Sequence, residues 1–127
     1  METATVETTI DRPADAVWSV VGDFGGLDRW MPGVESCTLD GDVRTIATMG
    51  MEIGERLLRR DDAARELTYS IVSGPAPVES HEATITVHPD GAGCRVTWAV
   101  SVEPEGAAFF ADVYGRSLEA LKAHTEI

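Results

Sequence analysis

Apolar and polar positions alternate from Thr3 to Ile10, with Val6, Thr8 and Ile10 on one side, and predict a first strand. Asp11-Arg12-Pro13 then opens a helix, with Asp11 or Arg12 near the cap and Pro13 in the first turn, where a missing N–H costs nothing. Ala16, Val17, Val20 and Val21, with Trp18 beside them, make its apolar side, and Gly22 is its stop. A second short helix, about Gly26 to Met31, presents Leu27, Trp30 and Met31 before Pro32-Gly33 ends it. From Val34 the period changes to two. Turn signals at Asp40-Gly41, Gly50, Asp61-Asp62, Gly74-Pro75-Ala76-Pro77 and Asp90-Gly91-Ala92-Gly93 divide this stretch into six strands, 34–40, 43–49, 51–60, 65–73, 79–88 and 94–103. Tight turns between consecutive strands make them antiparallel.

Pro104 ends the last strand, and Glu105-Gly106 leads into a final helix whose acidic start suits the positive end of the helix dipole. Phe109, Phe110, Val113, Tyr114, Ser117, Leu118 and Leu121 recur there at three- and four-residue intervals and share one face. An aromatic helix face must be buried, and the only large partner is the sheet. The expected architecture is therefore α+β, a helix-grip fold. Six or seven antiparallel strands curl around the long C-terminal helix, with two short helices after the first strand, in a single domain over residues 1–127.

Strand parity places candidate chemistry on this frame. Met51, Ile53, Glu55 and Leu57 share one face of their strand; Leu67, Tyr69 and Ile71 share a face of the next. His81, Ala83, Ile85 and Val87 fall together on the following strand, and Val96, Trp98, Val100 and Val102 on the last. The mostly apolar sets should face the helix, so Glu55, Tyr69 and His81 are expected among apolar neighbours on three adjacent strands. A carboxylate there is costly unless protonated, paired or wetted, which makes Glu55 the sharpest candidate. It either meets ligand or pairs with an arginine; Arg44 is available to it or to Glu35, and parity does not decide between them. His81 is either a proton carrier or a satisfied structural histidine, and Tyr69 either a donor at the cavity wall or packing. His88, on the opposite parity and before a turn, is expected to be exposed, and His124 to sit in the last helical turn.

Composition narrows the function. Twenty-two acidic against ten basic residues give a net charge of −12, which repels phosphate backbones and anionic lipid surfaces. Nucleic acid and membrane insertion are thus not expected partners. The start of the chain lacks the basic and apolar segments of a signal peptide, which favours the cytoplasm. Cys37 and Cys94 have no close-spaced Cys or His partner, so a zinc site is not indicated and free thiols are expected. Serine-triad, phosphate-loop, HExxH and EF-hand patterns are missing from the sequence, and no cofactor is expected.

The order of elements, together with Val17-Trp18-Ser19-Val20-Val21, Asp23-Phe24 before Trp30, Glu55-Arg56-Leu57, Ser73-Gly74 and Phe110-Ala111-Asp112, resembles the Bet v 1/START-like superfamily. The resemblance is to its small bacterial polyketide cyclase/dehydrase and lipid-transport-like group. Several stretches are also similar to plant abscisic acid receptors. Glu35-Ser36-Cys37 lies where those receptors carry Lys-Ser-Cys, Glu55 matches a pocket glutamate, His81 stands at a pocket tyrosine, and Phe110 matches a helix aromatic. Glu35 reverses the charge a carboxylate ligand needs, and Met49 to Gly54 is too short for the receptors' gating loop.

The resemblance implies a cavity between sheet and helix that binds a small apolar molecule, such as a lipid, polyketide-like or isoprenoid compound. Trp30, Met31, Glu55, Tyr69, His81, Trp98, Phe110, Tyr114 and Leu118 are the expected ligand-binding residues. Phe110, Tyr114 and Leu118 would form the floor, with Trp30 and Met31 as a lid. The alternatives are a polyketide cyclase or dehydratase, with Glu55 or His81 as acid/base and Tyr69 as hydroxyl donor, and an interaction module gated through the lid at Trp30 to Pro32. The protein is expected to act as a monomer or homodimer.

Overall fold

The computed structural model describes residues 2–74, 80–103 and 106–126. The Pro75-Ala76-Pro77 turn, the expected strand start at residue 79, and Pro104-Glu105 lie outside them. Seven strands form one antiparallel sheet: β1 (Glu2–Ile10), β2 (Val34–Asp40), β3 (Val43–Thr48), β4 (Met51–Asp61), β5 (Glu66–Ser73), β6 (Ser80–Asp90) and β7 (Gly93–Glu103). The spatial order is β1-β7-β6-β5-β4-β3-β2. After β1 come helix α1 (Ala14–Val21) and a 3₁₀ turn over Phe24–Arg29; the chain closes on α2 (Ala107–Thr125).

Local chemistry explains the boundaries and two departures from the expected elements. Pro13 is the N-cap of α1 rather than a first-turn residue, and its carbonyl accepts the N–H groups of Ala16 and Val17. The second helix is the 3₁₀ turn Phe24–Arg29, starting and ending two residues earlier than the expected Gly26 to Met31, because Gly25 and Gly26 weaken a full α-helical turn. Met49 (φ 53°) and Gly50 (φ 74°) make the two-residue β3–β4 hairpin, both in the left-handed region that such turns require. The register shifts between Gly54 and Glu55 in the β4–β5 pairing, a bulge that bends the sheet beside the candidate site. A Cβ at Gly54 would meet Ser73 Oγ, so a larger residue there would require that hydroxyl to turn away.

Helix α2 packs over β1 and β7. Both of its ends are tied to the N-terminal part of the chain. Glu2 Oε1 accepts the N–H groups of Gly106 (3.0 Å) and Ala107 (3.2 Å), so the acid at the positive end of the helix comes from β1. No acidic residue stands in the helix's own first turn. At the other end Lys122 Nζ donates to the Thr9 carbonyl (2.8 Å), and Glu126 accepts the Asp11 N–H (2.7 Å). The helix is thereby held at the β1–β7 side of the sheet and reaches as far as Tyr69 on β5, leaving β3, β4 and the Ile71 end of β5 out of its direct contact.

The core is the face that parity assigned inward: Leu67 and Tyr69, Ala83, Ile85 and Val87, Val96, Trp98, Val100 and Val102, met by Phe110, Tyr114, Leu118 and Leu121 of α2. His88 corrects one expectation. It is half-buried, not exposed, because β6 runs on to Asp90 and His88 Nε2 lies 3.1 Å from Thr97 Oγ1 across the β6–β7 pair. Cys37 and Cys94 are free. No helix among the described residues is long and apolar enough to cross a membrane.

Candidate functional site

Because α2 rests over β1 and β7, a cavity of about 410 Å³ remains between it and strands β3 to β5. Ile46, Ile53 and Ile71 form its sheet wall, and Phe110, Val113 and Tyr114 its helix wall. Met31-Pro32-Gly33, between the 3₁₀ turn and β2, and the Met49 hairpin tip frame it. Met49 and Phe109 are 67% and 58% exposed, so these two mark the opening to solvent. The volume falls within the roughly 300–1,000 Å³ of small-molecule sites.

Glu55 is the buried charged residue of the wall. Arg44, opposite it on β3, resolves the open pairing: Nε and Nη2 reach Glu55 Oε1 at 2.8 and 2.7 Å. Arg44 Nη1 donates to the Phe24 carbonyl (3.1 Å), and the guanidinium lies 4.0 Å from the Phe24 ring centroid and 4.9 Å from that of Tyr69. Burial pushes the Glu55 carboxyl above its ordinary range, with Arg44 pulling the other way. Glu35 is exposed at the start of β2 and takes no part. Strand parity leaves the partner of Arg44 open between Glu55 and Glu35. The signal for it was the hairpin: a two-residue turn at Met49-Gly50 sets Arg44 directly opposite Glu55.

Behind the helix wall lies a buried polar network. Tyr114 stacks on Trp98 with ring centroids 4.0 Å apart and planes 4° from parallel. Its hydroxyl is 3.0 Å from the Tyr69 hydroxyl and 3.0 Å from His81 Nε2. Trp98 Nε1 donates to the Tyr69 hydroxyl (3.2 Å), and the Ile71 N–H donates to His81 Nδ1 (3.2 Å). That last bond leaves the neutral ring's proton on Nε2. Burial lowers the His81 pKa to about 4 and raises both tyrosines, so all three are neutral near pH 7.

The structure thus sorts the residues expected at the site. Met31, Glu55, Phe110 and Tyr114 line the cavity. Tyr69, His81 and Trp98 face the same side of the sheet but stand behind Tyr114, covered by α2. Trp30 is buried with its ring 6.1 Å from that of Trp98, and Leu118 is 1% exposed; both are core, not lid and floor. Parity identifies the inward face of each strand but not the strands on which the helix lies. Val113 and Ser117 line the cavity too; both stood in the apolar stripe of α2, which did not show which members face open space. Among the described residues no group of three or more His, Cys, Asp or Glu is placed to hold a metal ion.

Residues 1–126 match the family model described as polyketide cyclase / dehydrase and lipid transport. XoxI from Bacillus cereus is similar in structure, with a TM-score of 0.92 and 31% identity, covering 98% of this chain and 96% of that one. A protein from Bacillus thuringiensis has a TM-score of 0.91 at 30% identity, with 96% and 97% of the two chains covered. The abscisic acid receptor PYL7 of Arabidopsis thaliana is 28% identical over 90 residues, 64% of this chain. The chain spans under half, 43%, of that receptor's length.

Proposed function

Because this chain belongs to the polyketide cyclase / dehydrase and lipid transport family, we propose that it binds a small apolar molecule in the cavity between α2 and strands β3 to β5. The observation that carries this reading is the cavity itself: about 410 Å³, walled by Ile46, Ile53, Ile71, Phe110 and Val113, with the buried Glu55 carboxylate neutralised by Arg44. An unfilled apolar space of that size costs stability unless occupied, and a molecule that fills it recovers dispersion contacts along every wall. Methionines at positions 31, 49 and 51 suit this, because their flexible thioethers adapt to irregular apolar shapes. The free thiols of Cys37 and Cys94 fit a reducing compartment, and the cytoplasm is the proposed location.

Native mass spectrometry of the protein purified under non-denaturing conditions tests the proposal. An added non-covalent mass that is lost on organic extraction supports it. A protein that carries nothing, and that takes up no member of a series of C8 to C14 alcohols and ketones, overturns it.

A catalytic reading, a cyclase or dehydratase, is favoured by one observation: Glu55 is a carboxylate at the wall of an apolar cavity with its pKa raised by burial. His81 does not share that position, since both of its ring nitrogens are bonded within the protein. In this reading Glu55→Gln abolishes turnover of a polyketide-like substrate while binding survives; unchanged turnover overturns it.

A further inference from the structure

The hydrogen atoms of the Tyr114 network do not all find acceptors. Two ring N–H groups, Trp98 Nε1 and His81 Nε2, point at two phenol oxygens, Tyr69 and Tyr114 respectively. The 3.0 Å contact between those phenols consumes one of their two O–H hydrogens. One O–H is left over, and among the described residues no further acceptor stands beside either hydroxyl. A buried hydroxyl without an acceptor costs about 1–3 kcal/mol, so the leftover hydrogen belongs where an acceptor can arrive. Tyr69 lines only a void of about 10 Å³, at the lower limit for a single water, whereas Tyr114 lines the main cavity. The consistent arrangement has Tyr69 donating to Tyr114 and Tyr114 donating outward.

The other polar side chains of the cavity have spent their donors. Ser117 Oγ donates to the Val113 carbonyl (2.7 Å) and Thr48 Oγ1 to the Gly33 carbonyl (2.9 Å). Glu55 is an acceptor held by Arg44. Arg116 is paired with Asp112 at 2.7 Å and is 70% exposed at the rim, not in the interior. Among the described residues Tyr114 is therefore the uncommitted donor of the buried wall. Its ring is clamped flat against Trp98, and its oxygen accepts from Tyr69 and His81, so its own hydrogen needs a third partner.

Resting on the apolar-ligand reading above, we infer that the occupant is a neutral molecule with a carbonyl, ether or hydroxyl oxygen on an otherwise apolar skeleton, and that this oxygen seats on the Tyr114 O–H. Neutrality follows from the wall: the Arg44–Glu55 pair leaves no net charge to meet an ionised ligand, and the chain's −12 charge disfavours an anion further. Two donors aimed at the Tyr114 oxygen also make its O–H a stronger donor through hydrogen-bond cooperativity. Tyr69, His81 and Trp98 are positioning residues in this scheme, which accounts for a polar network placed one layer behind the cavity.

Displacement of the neutral fluorophore N-phenyl-1-naphthylamine by 2-undecanone and by undecane, with wild type and Tyr114→Phe, tests the assignment. Wild type should prefer the ketone by roughly 3- to 10-fold, and Tyr114→Phe should lose that preference while still taking up undecane. Displacement by neither probe in wild type sinks the apolar-ligand reading itself. Equal displacement by both in wild type leaves that reading standing and overturns the role of Tyr114. Should Tyr114→Phe fail to fold, the infrared carbonyl stretch of bound ¹³C-labelled 2-undecanone in wild type decides. A shift to lower frequency than in hexane supports the bond, and the hexane frequency overturns it.

Discussion

Arg44 and Glu55 face one another directly across the β3–β4 pair and close a 2.7 Å ion pair with both side chains under 10% exposed. Removing one partner strands the other charge in the apolar wall. Arg44→Met is expected to cost about 3–5 kcal/mol, whereas Arg44→Met with Glu55→Leu should recover most of the loss. Urea unfolding of the two single variants and the double variant measures this. A double variant as unstable as Arg44→Met alone would show that the pair is not the unit that matters.

His81 predicts a pH dependence of stability. Its pKa is about 4 when folded against 6.5 when free, so between those values the unfolded chain binds more protons. The stabilisation is complete above pH 6.5 and is lost as pH falls toward 4, on the order of 3 kcal/mol in all. His81→Gln offers one acceptor to the Ile71 N–H and one donor to Tyr114 but cannot titrate. Its unfolding free energy should fall less than that of wild type between pH 6.5 and 4; parallel curves would contradict the assignment.

Glu2 caps a helix more than a hundred residues away through the N–H groups of Gly106 and Ala107. Glu2→Ala should lose about 1 kcal/mol, and Glu2→Gln less, since the amide oxygen still accepts. Thermal unfolding of the two variants checks the order, and an unchanged midpoint in Glu2→Ala would remove this tie from the account.

Leu118 and Val113 separate core from cavity on one helix. Leu118→Ala should cost about 2–5 kcal/mol, because the residue is 1% exposed and closely packed. Val113→Ala should cost well under half as much, because Val113 already faces open space. Similar losses at both positions, read by chemical denaturation, would place Val113 in the packed core.

These contrasts mark how far the sequence could be read. The two-residue period is a local property, so it put Glu55, Tyr69 and His81 on the inward face of neighbouring strands, and the structure has all three buried there. Which of them meets open space depends on where α2 lies. That is set by contacts between the two ends of the chain, Glu2 with Gly106 and Lys122 with Thr9, which no periodicity records. The same limit applied to the lid: Met31 and Trp30 are adjacent, yet one lines the cavity and the other packs near Trp98.

Titration with N-phenyl-1-naphthylamine of wild type and of a variant with the cavity occupied by its own side chains, Val113→Trp with Ile53→Phe, tests the central claim most directly. Saturable one-to-one fluorescence enhancement in wild type, lost in a variant that still unfolds cooperatively, is the predicted result. Equal enhancement in both proteins would contradict it, because the probe would then be binding somewhere other than the space between α2 and strands β3 to β5.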